Sequence, residues 1–236
     1  MRPTTNDEHI GIEIECLGTI SRGELREALN EVEGLRGNID VGYDLSIQKD
    51  EDDQNQHEVR ILCTRNNRKE LVSKVMAVLN DNDCSVNESC SIHVHLDLRN
   101  KSSARVRTVF FNLVKCNELL FSLQEDHRRQ SVYCKPNTYE TYTGTLNRDT
   151  GEQARRRAIN AHSYRKFNTL EVRLHHGSLD SEEVLSFIDL LLKIKGKRRR
   201  LLSVVETIED LKTFVTKDRR LLETMRQRWE EYNDAA

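Results

Sequence analysis

The sequence has little proline and no long apolar run. Only two of its 236 residues are proline, which is few for a disordered or linker-rich chain. No stretch reaches the roughly 18 consecutive apolar residues of a membrane-spanning helix. Met1–Glu8 lacks the basic segment and following apolar run of a signal peptide. The sequence therefore predicts a folded cytoplasmic protein with no membrane partner.

The chain also lacks paired cysteines and a strong charge of either sign. Its six cysteines lie apart, and the spacing of the two closest, Cys84 and Cys90, fits no zinc ribbon. The net charge is −2 although 32% of the residues are charged, so no overall bias favours nucleic acid. We expect reduced, partly buried thiols and neither a disulfide framework nor a structural zinc ion.

Four short segments each carry two chemically active side chains two residues apart, with aliphatic residues between them. Successive side chains of a strand point to opposite faces, so each segment is predicted to be a strand with one polar and one apolar face. The pairs are Glu13 and Glu15, Glu58 and Arg60, His93 and His95, and Glu171 and Arg173. Alternation alone is typical of any strand with a solvated face. Repeated Glu, His and Arg in place of Lys, Ser and Thr indicate a site for divalent metal and phosphate.

Apolar residues at helical spacing predict helices between and after these strands. Helices are expected over Ser21–Glu33, Arg68–Leu79, Ala104–Gln124, Ser181–Lys195, Lys197–Val205 and Ile208–Tyr232. A further strand is expected over Ala158–Phe167, and a strand or an irregular hairpin arm over Asn38–Lys49. The aperiodic segment Glu125–Glu152 is expected to be a mobile loop over the substrate. Because no linker divides the chain, we predict one α+β domain over residues 1–236, with a helical C-terminal part at 181–236. It would hold an antiparallel sheet of about six strands with helices packed on one face.

The polar strand faces admit three interpretations. Carboxylates with an imidazole suit Mg²⁺ or Mn²⁺, and a nearby arginine can reach a phosphate that the metal binds. A metal-dependent hydrolase would instead use His93 and His95, with further ligands drawn from His57, His162, His175 and His176. A binding module would use the basic run Lys193–Arg200, although the slightly acidic chain makes nucleic acid an unexpected partner.

The motifs GIEIE, HEVRIL, CSIHVHLDL and NTLEVRLHHGSLD, in this order, resemble the putative amidoligase family. The resemblance covers about Ile10–Asp180. That family consists of carboxylate–amine ligases related to glutamine synthetase and glutamate–cysteine ligase. The resemblance implies a glutamine-synthetase-like catalytic domain that uses ATP and Mg²⁺, or Mn²⁺. Its substrates would be a small-molecule or peptide carboxylate and an amine or ammonia, and a homo-oligomer is one expected assembly.

The resemblance also implies roles for single residues. The metal ligands would be Glu13, Glu15, Glu58, His93 and Glu171. Arg173 would stabilise the transferring phosphoryl group, with His93 and Glu171 as further catalytic residues, and ATP would contact Arg173, His93, His95 and Arg60. Substrate would meet Asp44, Ser46, Arg128, Arg129, Tyr133 and Lys135. Two positions depart from the family pattern, since Leu45 and Ser91 each stand where the family commonly has glycine.

Overall fold

The computed structural model describes residues 8–51, 54–137 and 156–233. It divides into two compact units, the first formed by Met1–Asp97 and His176–Leu185 and the second by Leu98–His175 and Ser186–Ala236. The protein has the predicted α+β character, with six strands whose pairings within each unit are antiparallel. A single catalytic domain and a glutamine-synthetase-like fold stay predictions.

Four strands form the sheet of the first unit. They are β1 (His9–Gly18), β2 (Ile39–Gly42), β3 (Asn55–Thr64) and β4 (Ser91–Asp97), in the order β2-β3-β1-β4. In this register Glu13 lies opposite both Arg60 and His93, and Glu15 lies opposite Glu58. Because side chains alternate along each strand, the three polar pairs predicted in this unit share one face of neighbouring strands.

The other face of this sheet is apolar, and its β1 residues Ile10, Ile12 and Ile14 are buried. Helix α1 (Arg22–Glu31) contacts β2, and helix α2 (Arg68–Asp81) contacts β3. A capping box fixes the start of α1, because Ser21 and Glu24 bind each other's backbone N–H groups. After α1, Gly34 adopts a left-handed φ of 87°, a conformation that favours glycine.

The second unit is mainly helical around a short strand pair. Its strands are β5 (Ile159–Asn160) and β6 (Thr169–His176), whose last residue belongs to the first unit. The helices are α3 (Ser103–Lys115), α4 (Asn117–Ser122), α5 (Asp126–Arg129), α6 (His162–Phe167), α7 (Ser181–Gly196, whose first turn belongs to the first unit), α8 (Ile208–Asp210) and α9 (Arg219–Asn233), with a π-helical turn at Leu211–Val215.

Two predicted helices are interrupted. The helix expected over Ala104–Gln124 breaks at Cys116, and the Asn117 side chain donates to the carbonyl oxygen of Asn137 at 3.5 Å. The helix expected over Ile208–Tyr232 is interrupted at Thr216, which has extended backbone angles. Apolar periodicity continues across both breaks, which is why the sequence pattern did not reveal them.

Two other segments have a different secondary structure from the predicted one. Most of the strand expected over Ala158–Phe167 is the helical turn α6, because the Asn160 side chain accepts the backbone N–H of His162 at 2.9 Å. The helix expected over Lys197–Val205 is an irregular loop. Of the segment Asn38–Lys49, only β2 is a strand.

Further predictions concern the thiols, the membrane and the substrate loop. All six cysteines are free and buried, which is deeper burial than the partly buried thiols predicted from the sequence. No helix within the described ranges has the length and apolar character needed to cross a membrane. Most of the predicted substrate loop, residues 138–152, lies outside the described residues.

Candidate functional site

The polar face of the first unit centres on Glu13 and two imidazoles. Glu13 Oε2 lies 3.0 Å from His93 Nδ1, and Glu13 Oε1 lies 3.2 Å from His95 Nε2. The second carboxylate, Glu15, has Oε1 3.7 Å from His93 Nε2. The side chains of Glu15 and His93 are each only 2% exposed. The structure therefore brings together Glu13, Glu15, His93 and His95, all predicted from the sequence.

A buried serine that the sequence reasoning did not assign to the site joins this group. Ser91 Oγ donates to Glu15 Oε2 at 2.6 Å and lies 2.9 Å from His93 Nε2. Ser91 is only 3% exposed. The available signal was its position two residues before His93, on the same face of β4.

A glycine makes room for the second imidazole. Gly11 lies directly opposite His95 in the pairing of β1 with β4. A Cβ atom at this position would approach His95 Cβ to 3.1 Å. Glycine thus allows the His95 ring to lie close to β1 and reach Glu13.

Glu58 and Arg60 extend the polar face onto β3 and the edge strand β2. Arg60 Nε donates to Glu58 Oε2 at 2.6 Å, and Arg60 Nη1 donates to Asp40 Oδ2 at 3.0 Å. Asp40, which the sequence reasoning did not single out, thus helps to orient the guanidinium. A Cβ atom on Gly42 would lie 2.6 Å from Arg60 Nη2, so the guanidinium occupies space that a side chain would otherwise fill.

The electrostatics of this face are dominated by crowded carboxylates. Burial acts to raise the pKa of Glu13, but hydrogen bonds from His93 and His95 outweigh it and hold that pKa well below its usual range. Burial raises the pKa of Glu58, and the charge of Glu13 adds to this effect, while Arg60 opposes it. Directly opposed like charges destabilise a strand pair, as with Glu15 and Glu58. Carboxylate oxygens beside an imidazole fit a hard divalent cation such as Mg²⁺ or Mn²⁺.

The predicted substrate residues of this unit lie in a turn after β2. The backbone N–H of Ser46 donates to Asp44 Oδ1 at 2.7 Å, an arrangement in which an aspartate closes its own turn. Leu45 between them is 77% exposed. Their predicted contact with substrate stays a prediction.

In the second unit, Glu171 is held from two sides. Arg173 Nη1 forms an ion pair with Glu171 Oε1, and Asn160 Nδ2 donates to Glu171 Oε2 at 2.7 Å. Glu171 and Asn160 are 5% and 4% exposed. Sequence reasoning missed Asn160, whose role depends on the pairing of β5 with β6 that places it opposite Glu171. The proposed membership of Glu171 in one metal cluster with Glu13, Glu15, Glu58 and His93 stays a prediction.

Arg128 and Arg129, predicted to face substrate, both donate to backbone carbonyl oxygens. Arg128 is 4% exposed and donates to the carbonyl oxygens of Arg173 and Leu174, the latter at 3.3 Å. Arg129 donates to the carbonyl oxygens of Gln124 and Tyr232, each at 2.6 Å. Buried carbonyls require donors, and these two guanidiniums supply them. These contacts stabilise the surrounding backbone, and the predicted contact of both residues with substrate stays a prediction.

The other two predicted substrate residues of this unit are exposed. Tyr133 is 46% exposed, and the Arg156 guanidinium lies 5.2 Å from its ring centroid. The Lys135 backbone is fixed by hydrogen bonds of 2.8 Å with Arg156 and Ala158. Their side chains are placed where a ligand could reach them, and the predicted contact stays a prediction.

The alternative interpretations gain less from the structure. His57 is fully buried on the apolar face of β3, and its Nε2 lies 3.1 Å from the carbonyl oxygen of Ile20. Burial lowers its pKa. It therefore points away from His93 and His95. Within the basic run, Lys193 pairs with Asp218 at 3.0 Å and Lys195 is buried, so these two cations are not displayed for a polyanion.

Comparison with known proteins agrees with the motifs. Residues 6–150 match the model of a family described as "putative amidoligase enzyme". Among curated proteins, no sequence matches this chain. The family match takes in β1, β3 and β4 with their polar pairs, and ends before Glu171 and Arg173. It spans more than half of the chain and indicates an enzyme of the ligase class. The chain therefore belongs to the amidoligase family.

Proposed function

We propose that the protein is an ATP-dependent ligase that joins a carboxylate to an amine or ammonia. In the first step a carboxylate oxygen takes the γ-phosphoryl group of ATP, and ADP leaves. In the second step the amine nitrogen attacks the acyl phosphate, and inorganic phosphate leaves as the amide bond forms. Family membership supports the ligase class, and the polar sheet face supports the metal–nucleotide part.

The observation that carries this proposal is the row of three carboxylates across β1 and β3. Glu13, Glu15 and Glu58 lie on one face of these neighbouring strands, and their side chains are 24%, 2% and 11% exposed. The Arg60 guanidinium pairs with Glu58. Such a concentration of negative charge is costly unless a cation offsets it. A polar face whose only contact was with solvent would leave its carboxylates exposed, whereas Glu15 and Glu58 are buried.

Bound Mg²⁺ would neutralise the triphosphate and polarise its γ-phosphoryl group. In this proposal Glu13, Glu15, Glu58 and His93 hold the metal, and ATP contacts His93, His95 and Arg60 on the same face of the sheet. Glu171 is the further ligand implied by the family. Arg173, whose guanidinium Glu171 orients, would stabilise charge on the transferring phosphoryl group. Asp44, Ser46, Tyr133 and Lys135 are the residues proposed to contact the acid or the amine.

A hydrolase built on His93 and His95 has less support. Both imidazoles contact Glu13, and His57 lies on the opposite face of the sheet. The arrangement gives no role to Arg60 or to the excess of glutamates, whereas a metal–nucleotide site uses both.

The test is ADP release from ATP by the purified full-length chain with Mg²⁺ and paired mixtures of carboxylic acids and amines. We expect release that requires both an acid and an amine, and that falls about 100-fold or more in Glu13→Gln because a metal ligand is lost. Glu70→Gln is the matched control, since Glu70 is an exposed residue of α2 that pairs with the half-buried Lys74 of the same helix. Wild-type turnover by Glu13→Gln would contradict the proposal. Ester hydrolysis without ATP would favour the hydrolase.

A further inference from the structure

A continuous chain of contacts links the two glutamates of β1 through two residues of β4. It runs from Glu13 Oε2 to His93 Nδ1 at 3.0 Å, from His93 Nε2 to Ser91 Oγ at 2.9 Å, and from Ser91 Oγ to Glu15 Oε2 at 2.6 Å. Three of its four members are at most 3% exposed. Ser91 contributes a hydroxyl to this chain of contacts, which is a weaker ligand for a divalent cation than a carboxylate or an imidazole.

The position of Ser91 has consequences for both neighbours. The Ser91 hydroxyl donates to Glu15 Oε2, so that oxygen already accepts a hydrogen bond within the protein. The other carboxylate oxygen, Glu15 Oε1, lies on the side of His93. The same hydroxyl oxygen also contacts His93 Nε2. This contact limits rotation of the imidazole ring. One small side chain thus fixes the orientation of two predicted ligands.

We propose that Ser91 is a positioning residue that presents Glu15 to a divalent cation through Oε1 alone and holds His93 in place beside it. This inference rests on the proposed function, since it assumes that the polar face binds a metal. Groups that hydrogen-bond to metal ligands typically contribute 10–100-fold to metal affinity. A glycine or alanine at this position would leave Glu15 Oε2 without its donor.

The experiment measures Mn²⁺ binding to the full-length chain, without nucleotide, by the loss of the free Mn²⁺ signal in electron paramagnetic resonance. We expect Ser91→Ala to raise the Kd for Mn²⁺ about 10-fold. Ser91→Thr, which keeps the hydroxyl and suits a strand, should bind within about threefold of wild type. Ser122→Ala is the matched control, because Ser122 Oγ binds only a carbonyl of its own helix in the other unit.

Thermal unfolding of each variant separates positioning from folding. A residue that served only stability would lower Tm in Ser91→Ala and leave the Kd of the folded protein unchanged, and that result would overturn the inference. Equal Mn²⁺ affinity of Ser91→Ala and wild type would also overturn the positioning role of Ser91. The proposed metal site would not be contradicted by that result. Absence of Mn²⁺ binding by the wild type would overturn the inference and the proposed metal site together.

Discussion

Arg173 and Glu171 form an ion pair on one face of β6, and the Asn160 amide also donates to the Glu171 carboxylate. The Arg173 side chain is 23% exposed whereas that of Glu171 is 6% exposed. The pair therefore has a buried anion and a cation nearer to water. That asymmetry is consistent with a guanidinium presented to a ligand by a carboxylate behind it.

Replacement of Arg173 by alanine tests this assignment. Because the residue is proposed to stabilise the transferring phosphoryl group, Arg173→Ala should lower kcat for ADP release about 1,000-fold or more. We expect Tm to fall by only a few degrees, since Asn160 still binds Glu171. Steady-state kinetics and thermal unfolding on the same preparations give both values.

Arg165→Ala, at an exposed position of α6 in the same unit, is the control for removing a positive charge. If Arg173→Ala kept near-normal turnover, the phosphoryl role would be wrong. If it lost its unfolding transition, Arg173 would be a structural residue.

At the residue scale, the sequence predicted the polar pairs because strand alternation is a local property. Glu13 and Glu15 share a face whatever lies beside β1. By contrast, Ser91, Asn160 and Asp40 depend on which residues come opposite one another across strands. That register is set by packing of the whole sheet, and no short motif records it.

At the scale of elements, the loop after α7 shows why periodicity alone misled. Leu201 and Val205 are buried four residues apart, the spacing of a helix. Side chains of α3 bind this loop instead: Asn112 accepts the N–H of Leu201 at 2.8 Å, and Lys115 Nζ donates to the carbonyl oxygen of Leu201 at 2.5 Å. These partners take backbone groups that a helix would pair internally.

Asn112 is accordingly expected to be a major support of this loop. It is fully buried, and its amide also donates to the carbonyl oxygen of Arg199 at 3.1 Å. Asn112→Ala would leave the buried N–H of Leu201 and the partly buried carbonyl oxygen of Arg199 without this partner, so we expect a loss of about 2 kcal/mol in the free energy of unfolding. Urea denaturation monitored by circular dichroism measures it.

The control for this substitution is Asn30→Ala, because the Asn30 amide binds a carbonyl of its own helix at an exposed site. It should change the free energy of unfolding by less than about 0.5 kcal/mol. Equal effects of the two substitutions would show that the loop does not depend on Asn112.

At the scale of the whole molecule, the cysteines report on how tightly both units are packed. Burial raises the pKa of Cys63 and Cys116 to about 12 and that of Cys90 and Cys134 to about 11. Composition predicted reduced, partly buried thiols, whereas folding buries all six. Composition could not rank the thiols by pKa, because the pKa of each thiol depends on the neighbours that folding brings to it.

Cys84 is expected to differ from the other five thiols. It is 8% exposed, whereas the others are at most 1% exposed, and a hydrogen bond with the Cys16 thiol lowers its pKa. The same contact, together with burial, raises the pKa of Cys16. Since the thiolate is the reactive form, a thiol whose pKa is raised by two units should react about 100-fold more slowly near pH 8.

An aromatic disulfide reagent such as DTNB, added to the native protein at pH 8, should therefore modify one thiol in a fast phase and the other five slowly. All six should react at once in denaturant. Cys84→Ala should remove the fast phase, whereas Cys63→Ala should leave it unchanged. Several thiols of equal reactivity in the native protein would mean that the interiors of the units open readily. Rapid reaction at a residue other than Cys84 would show that the contact with Cys16 does not control thiol reactivity.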